Sequence, residues 1–135
     1  MKKKLFIFIS LIFYSSSSMT FTNKNLTNNQ ILCPTLLWGF EFISSEKVKV
    51  INTDINKKTT ISEYYYDVDL NLSYINMFSS KNDIRDRVYS IELNSLRVDV
   101  WAMTGGGFTT REMFPVGLCK FVKINNFLSY IESLK

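Results

Sequence analysis

Two aspartates, Asp67 and Asp69, stand two residues apart in an alternating run. On a β-strand that spacing puts both carboxylates on one face, about 6.5–7 Å apart. The separation is near that of a general acid and general base flanking a glycosidic bond. Alternation alone also places two charges on a solvated strand face, and nothing nearby marks either one as an acid. Gly105-Gly106-Gly107 could cradle a phosphate, but no Gly-Lys-Ser/Thr follows and no G-x-G-x-x-G enters a helix. A loop tip free to touch a partner is the simpler reading. Histidine is absent from all 135 residues. That removes Ser-His-Asp and Cys-His catalysis, His-ligated zinc and the usual near-neutral base. A serine or threonine nucleophile would then need a lysine or a carboxylate as its base. No catalytic residue, metal site or cofactor is assigned, and the chain is read as non-enzymatic.

Cysteine chemistry depends on compartment, and the first residues address that. Lys2-Lys3-Lys4 is followed by an apolar run, Leu5 to Tyr14, and then by Ser15 to Ser18. A positive start, a short apolar core and small residues make a secretory signal peptide over 1–18, too short to span a bilayer. The expected address is secreted, extracellular, or periplasmic in a bacterium, with no transmembrane segment once the signal is cleaved. Two cysteines, Cys33 and Cys119, then read as one disulfide rather than two buried thiols. Two thiolates cannot build a four-cysteine zinc site. Cleavage also removes three of the 16 basic residues against 12 acidic ones, so the formal charge falls from +4 to +1. No basic face is left to argue for nucleic acid.

The elements that must position these residues are short strands. Residues 19–32 are polar and Asn/Thr-rich and read as a flexible mature N-terminus, with a single β domain over 33–135. Leu36 to Ile43 carries Trp38, Phe40 and Phe42 on one parity. Val48 and Val50 alternate with lysines. Tyr66, Val68, Leu70, Leu72 and Tyr74 share one face of an expected nine-residue strand, with Asp67, Asp69, Asn71 and Ser73 on the other. Ser79 to Arg87 reads as a charged loop or one helical turn. The parity of Tyr89, Ile91 and Leu93 shifts near Asn94-Ser95 before Leu96, Val98 and Val100, which predicts a turn or bulge. Thr104 to Thr110 is a loop, Phe114 to Val122 a last strand, and Asn125 or Asn126 can cap a closing helix with Phe127, Ile131 and Leu134 at helical spacing. Five to seven strands without a βαβ rhythm predict an all-β, mostly antiparallel sandwich or small barrel with a short C-terminal helix. Asn25-Leu26-Thr27 and Asn71-Leu72-Ser73 are N-glycosylation sequons, at Asn25 and Asn71.

The second half has a cadence of its own. Val48 to Asp54, Tyr66 to Tyr74 and Leu96 to Met103 precede a glycine loop, then Phe114-Pro115-Val116-Gly117-Leu118-Cys119-Lys120-Phe121-Val122 and a Phe127 to Leu134 tail. Over residues 48–134 this resembles insect secreted proteins related to the ML lipid-recognition and ganglioside-activator-like group, in which an aromatic-Pro stretch leads into Cys-x-Phe-hydrophobic. The resemblance implies an immunoglobulin-like β-sandwich that opens between its sheets to admit a lipid. The chain departs from it in having one cysteine pair only, and Leu36 to Ile43 has no counterpart.

Two functional readings follow. The first is a secreted binding protein that holds a lipid or other apolar small molecule between two sheets, on Trp38, Phe40, Tyr66, Leu70 and Phe114. The second is a periplasmic or secreted interaction protein, an inhibitor or immunity protein, that meets a protein partner through an exposed loop. There Trp101 and Met103, on the parity opposite Val98 and Val100, would form a contact patch with Gly105, Gly106 and Gly107.

Overall fold

The computed structural model describes residues 24–81, 84–103 and 109–135. The proposed signal peptide and Gly105, Gly106 and Gly107 lie outside them. Nine strands form one antiparallel sheet: β1 (Gln30–Cys33), β2 (Trp38–Phe42), β3 (Lys47–Thr53), β4 (Thr59–Asp69), β5 (Tyr74–Phe78), β6 (Arg87–Glu92), β7 (Val98–Met103), β8 (Thr109–Met113) and β9 (Lys120–Val122). The order is β8-β7-β6-β5-β4-β3-β2-β1-β9. A short helix, α1 (Phe127–Ser133), closes the chain.

The all-β class and the closing helix agree with the sequence. The finer arrangement is a meander in which each strand pairs with the next, and only β9 returns to pair with β1. The sheet curls until its halves face each other like the layers of a sandwich. Hydrogen bonding nevertheless runs through all nine strands, without the Greek-key crossing of an immunoglobulin domain.

Strict alternation builds the concave side. Ile31, Phe40 and Val50 are register partners across β1, β2 and β3. Tyr66, Met77, Tyr89 and Val100 align across β4 to β7, as do Val68, Ile75, Ile91 and Val98. These rows form one core, nearly all of it below a tenth exposed. Among the described residues the convex side is covered by another element in one place. Leu32, Gly39 and Ile51 share a row, and α1 lays Phe127 and Ile131 on it. Gly39 lets the helix approach, since a Cβ there would lie 2.4 Å from Ile131 Cδ1 and 2.7 Å from Phe127 Cε1. Gln30 pins the approach to the helix by donating to the Ile124 carbonyl at 3.0 Å and accepting from its N–H at 2.8 Å.

Cys33 and Cys119 are joined by a disulfide 86 residues apart in sequence. It ties the end of β1 to the start of β9, next to the six-residue connection that returns from β8.

Several boundaries differ from the sequence reading, each for a physical reason. The folded part includes residues before Cys33: Gln30–Cys33 is an inner strand, and the expected flexible segment contributes Leu26, Ile31 and Leu32 to the buried interior. Its apolar positions are too sparse to show a period among the asparagines. The run Tyr66 to Tyr74 is not one strand. Asp69 Oδ1 accepts from the N–H of Asn71 and Leu72, both at 3.0 Å, and folds the chain into a turn with Ser73 at φ 59°. Strand β4 instead starts early, at Thr59, in polar sequence. The expected last strand from Phe114 to Val122 shrinks to Lys120–Val122, because Phe114 to Cys119 is connection, with Gly117 at φ 90°. The strand β8 falls where a loop was expected, and all five of its residues are exposed, so it carries no burial period. The turn expected near Asn94-Ser95 is present, with Glu92 accepting from the N–H groups of Asn94 and Ser95 and from the Ser95 hydroxyl.

Candidate functional site

The half of the convex face that α1 leaves uncovered is polar and connected. Asn76, Ser90 and Asp99 are register partners on β5, β6 and β7. Trp101 follows Asp99 on the same face of β7 and is half-buried. Its indole Nε1 donates to Ser90 Oγ at 2.9 Å, and Ser90 Oγ donates to Asn76 Oδ1 at 2.8 Å. Both ends of the chain of hydrogen bonds are therefore fixed by strand register, which orients the indole plane.

Two guanidiniums flank that ring. Arg87 Cζ lies 4.3 Å and Arg111 Cζ 5.4 Å from the ring centroid. Arg111 is the register partner of Trp101 on β8. Cation–aromatic attraction of this kind is about 0.5–2 kcal/mol, larger as water is excluded. Asp99 is fully buried and draws in both Arg97, at 3.1 Å from Nε, and Arg111, at 3.8 Å from Nε. Its hydrogen bond to Arg97 raises that guanidinium's pKa further above its ordinary value. Arg97 Nη2 also donates to Tyr74 Oη at 3.1 Å. Two arginines thus meet one buried carboxylate, and a third, Arg87, lies over the neighbouring indole with no hydrogen-bond partner for its Nε among the described residues. Such an arrangement suits planar acidic groups, which arginine meets through two parallel N–H bonds.

Of the residues singled out in sequence for a partner, Trp101 sits at the centre of this face. Ser90, Asp99, Arg87 and Arg111 were not legible as its neighbours, because they meet only through the pairing of β6, β7 and β8. The alternation that put Trp101 opposite Val98 and Val100 was the available signal.

The residues expected to hold an apolar ligand are all in or against the concave core. Trp38, Phe40 and Tyr64 meet Tyr89 edge-on, with centroids 6.2, 5.8 and 5.7 Å away. Phe114 packs on Trp38 at 5.2 Å. Burial pushes the Tyr89 phenol up to about 12, although its hydroxyl donates to Asn52 Oδ1 at 3.2 Å. Tyr66 is separated from that group: it packs on Phe42 at 4.9 Å. Its hydroxyl donates to the Ser44 carbonyl at 2.8 Å and accepts from the Leu26 N–H at 3.0 Å, and burial raises its pKa. Leu70 is half-buried at the edge of the same core. These rings contact one another where a ligand was expected between them. A separate cleft of about 230 Å³ is lined by Asn28, Gln30, Glu41, Phe42 and Ile43, away from Trp38 and Phe114.

The remaining candidates resolve as local structure. Asp67 is exposed on the convex side of β4, while Asp69 turns its Oδ1 to the main chain of the following turn. The spacing Ser44-x-x-Lys47 would suit a serine–lysine pair on a helix, but here it forms the β2–β3 hairpin. Ser44 Oγ accepts from the Lys47 N–H at 3.0 Å, and Lys47 Nζ lies over the Tyr65 ring at 5.4 Å. Asn71 is exposed in a turn rather than on a strand, and Asn25 Oδ1 accepts from the Thr27 N–H at 3.0 Å. No group of three acidic, cysteine or histidine side chains could hold a metal ion among the described residues. Nor, among them, is any helix long and apolar enough to cross a membrane. Comparison with family models, with curated proteins and with solved structures returns no match.

Proposed function

We propose that this chain is an exported, disulfide-stapled binding domain that engages a macromolecular partner through the Trp101 face. The observation that carries the reading is the placement of Trp101: anchored by Ser90, flanked by Arg87 and Arg111, and left outside the cover of α1. Tryptophan and arginine are the residues most often responsible for binding energy at protein interfaces. The disulfide is compatible with an extracellular or periplasmic setting. An inhibitor or immunity protein would act in this way. The test is affinity capture from the producing organism's extracellular or periplasmic fraction on the wild-type chain and on a Trp101→Ala variant whose circular dichroism and melting match it. A partner held by the first and lost by the second supports the reading. Equal capture by both removes this face from consideration.

A second reading keeps the apolar ligand. Phe114 is half-buried and stands on the connection between β8 and β9, packed on Trp38 at one edge of the aromatic interior. Displacing it would open the interior to a lipid tail. Native mass spectrometry with organic extraction tests this, and a domain that carries and takes up no apolar molecule overturns it.

A further inference from the structure

Among the described residues strand β8 ends the sheet, and its outer edge, unpaired by any of them, adjoins the Trp101 face. The Phe114 N–H donates to the Val98 carbonyl at 3.0 Å, which makes Val98 and Phe114 a hydrogen-bonded pair. In an antiparallel ladder such pairs alternate. Val100–Glu112 and Ala102–Thr110 are then also hydrogen-bonded, and the main-chain groups of Thr109, Arg111 and Met113 point away from the sheet. An edge of this kind is a template for one more strand.

The side chains beside that edge select what can be added. Arg111, on the face shared with Trp101, lies over that ring, donates from Nη2 to Met113 Sδ at 3.1 Å and reaches the buried Asp99 only at 3.8 Å, which Arg97 already holds more closely. Arg87 stacks on the other flank of the same indole. Glu112 belongs to the opposite face, in register with Val100. A second copy of the chain is a poor occupant: the self-paired register that engages all five residues of β8 sets Arg111 opposite Arg111, and like charges directly opposite destabilise a ladder. An acidic residue in that position would lie about 5 Å from Arg111 and on the Trp101 side.

We propose that β8 takes up an extended acidic segment of a partner protein as a tenth strand, with Asp or Glu facing Arg111 on the Trp101 side. This rests on the reading of the Trp101 face as a binding surface and specifies its partner. Main-chain hydrogen bonds to residues 109, 111 and 113 supply the alignment, and the carboxylates supply the selection.

The test is a random heptapeptide display library selected on the oxidised full chain. Enriched peptides should carry Asp or Glu at one fixed position, the one that pairs with Arg111. Their affinity should fall at least tenfold in Met113→Pro, which removes an outward N–H and leaves the β7 ladder intact, and in Arg111→Glu. Alternate N-methylation of a selected peptide, which alters no residue of the domain, should abolish binding. Selection without an acidic pattern, or binding indifferent to both Met113→Pro and N-methylation, overturns strand addition. So does tighter binding of a sulfated oligosaccharide that depends on Arg111 and ignores Met113→Pro, because it makes the patch a general anion surface. If these arms fail while Trp101→Ala still abolishes partner capture, the binding face stands and only the strand is lost.

Discussion

Gly39→Ala should undock the C-terminal helix by the size of one methyl group. The added Cβ would meet Ile131 Cδ1 at 2.4 Å and the Phe127 ring at 2.7 and 2.8 Å, all inside the range that real Cβ atoms avoid. Neither partner has open space to retreat into, since Phe127 and Ile131 are 2 % and 0 % exposed between the helix and the sheet. Overpacking of this kind costs about 1–3 kcal/mol. Exchange of glycine for alanine in a strand returns about 0.5–1 kcal/mol. The net loss is therefore about 1–2 kcal/mol, or about 4–8 °C in melting temperature for a domain of this size. Ile131→Ala alone should cost about 2–4 kcal/mol, and it also removes the atom that collides with Cβ. Urea unfolding of the wild type, both single variants and the double variant gives the coupling directly. The double variant should lose at least about 1 kcal/mol less than the two singles added. Strict additivity, or a Gly39→Ala protein as stable as wild type, would refute the claim that α1 is held by close approach at Gly39.

Other consequences follow from the staple, the interior and the outer face. Replacing Cys33 and Cys119 with serine should cost about 4–5 kcal/mol for a closed loop of 86 residues, read as the difference in urea midpoint from the oxidised protein; a loss below about 1 kcal/mol would mean that the β1–β9 pairing holds itself. Tyr89 should be the last phenol to ionise, at about 12, in an ultraviolet absorbance titration, and Tyr89→Phe should delete that step. Its raised pKa favours the protonated folded state, so the stability it contributes is complete below pH 10 and is lost as the pH rises through about 12. Asp99→Ala alone should destabilise by about 3–5 kcal/mol by leaving arginine charge unpaired, whereas apolar replacement of Arg97, Asp99 and Arg111 together should be neutral or stabilising by about 1–4 kcal/mol. A triple variant that fails to fold would show the network to be structural.

What could be read from the residues was the part governed by period two. Phe40, Phe42, Val48, Val50, Ile91 and Val98 alternate, and much of the concave core follows. The pairing of Cys33 with Cys119 needed only their count and the expected compartment. Burial on both faces hid β1, because Ile31 faces the core while Leu32 lies under α1, so the two neighbours show no alternation. Exposure hid β8, since Thr109 to Met113 bury nothing and are a strand only through pairing with β7. The Trp101 face failed for a third reason. Arg87, Ser90, Trp101 and Arg111 lie on three strands, and nothing within any one of them announces the others.

The two halves of the convex side solve one problem differently. Over β1 to β3 the sheet presents Leu32 and Ile51 and covers them with its own helix, which removes apolar area from water at about 25 cal/mol per Å². Over β5 to β8 the same chain presents Asn76, Ser90, Asp99 and Trp101 and covers them only with flanking arginine side chains. A second apolar patch of the same volume would stabilise the fold at least as well as a buried carboxylate that has to be taken out of water. A polar network fixed in orientation by strand register and bordered by the β8 edge fits the proposed recognition of a charged partner. The tension is between stability and binding. Apolar replacement of Arg97, Asp99 and Arg111 should leave the fold standing or strengthen it, and should remove the ability of the Trp101 face to hold an acidic strand.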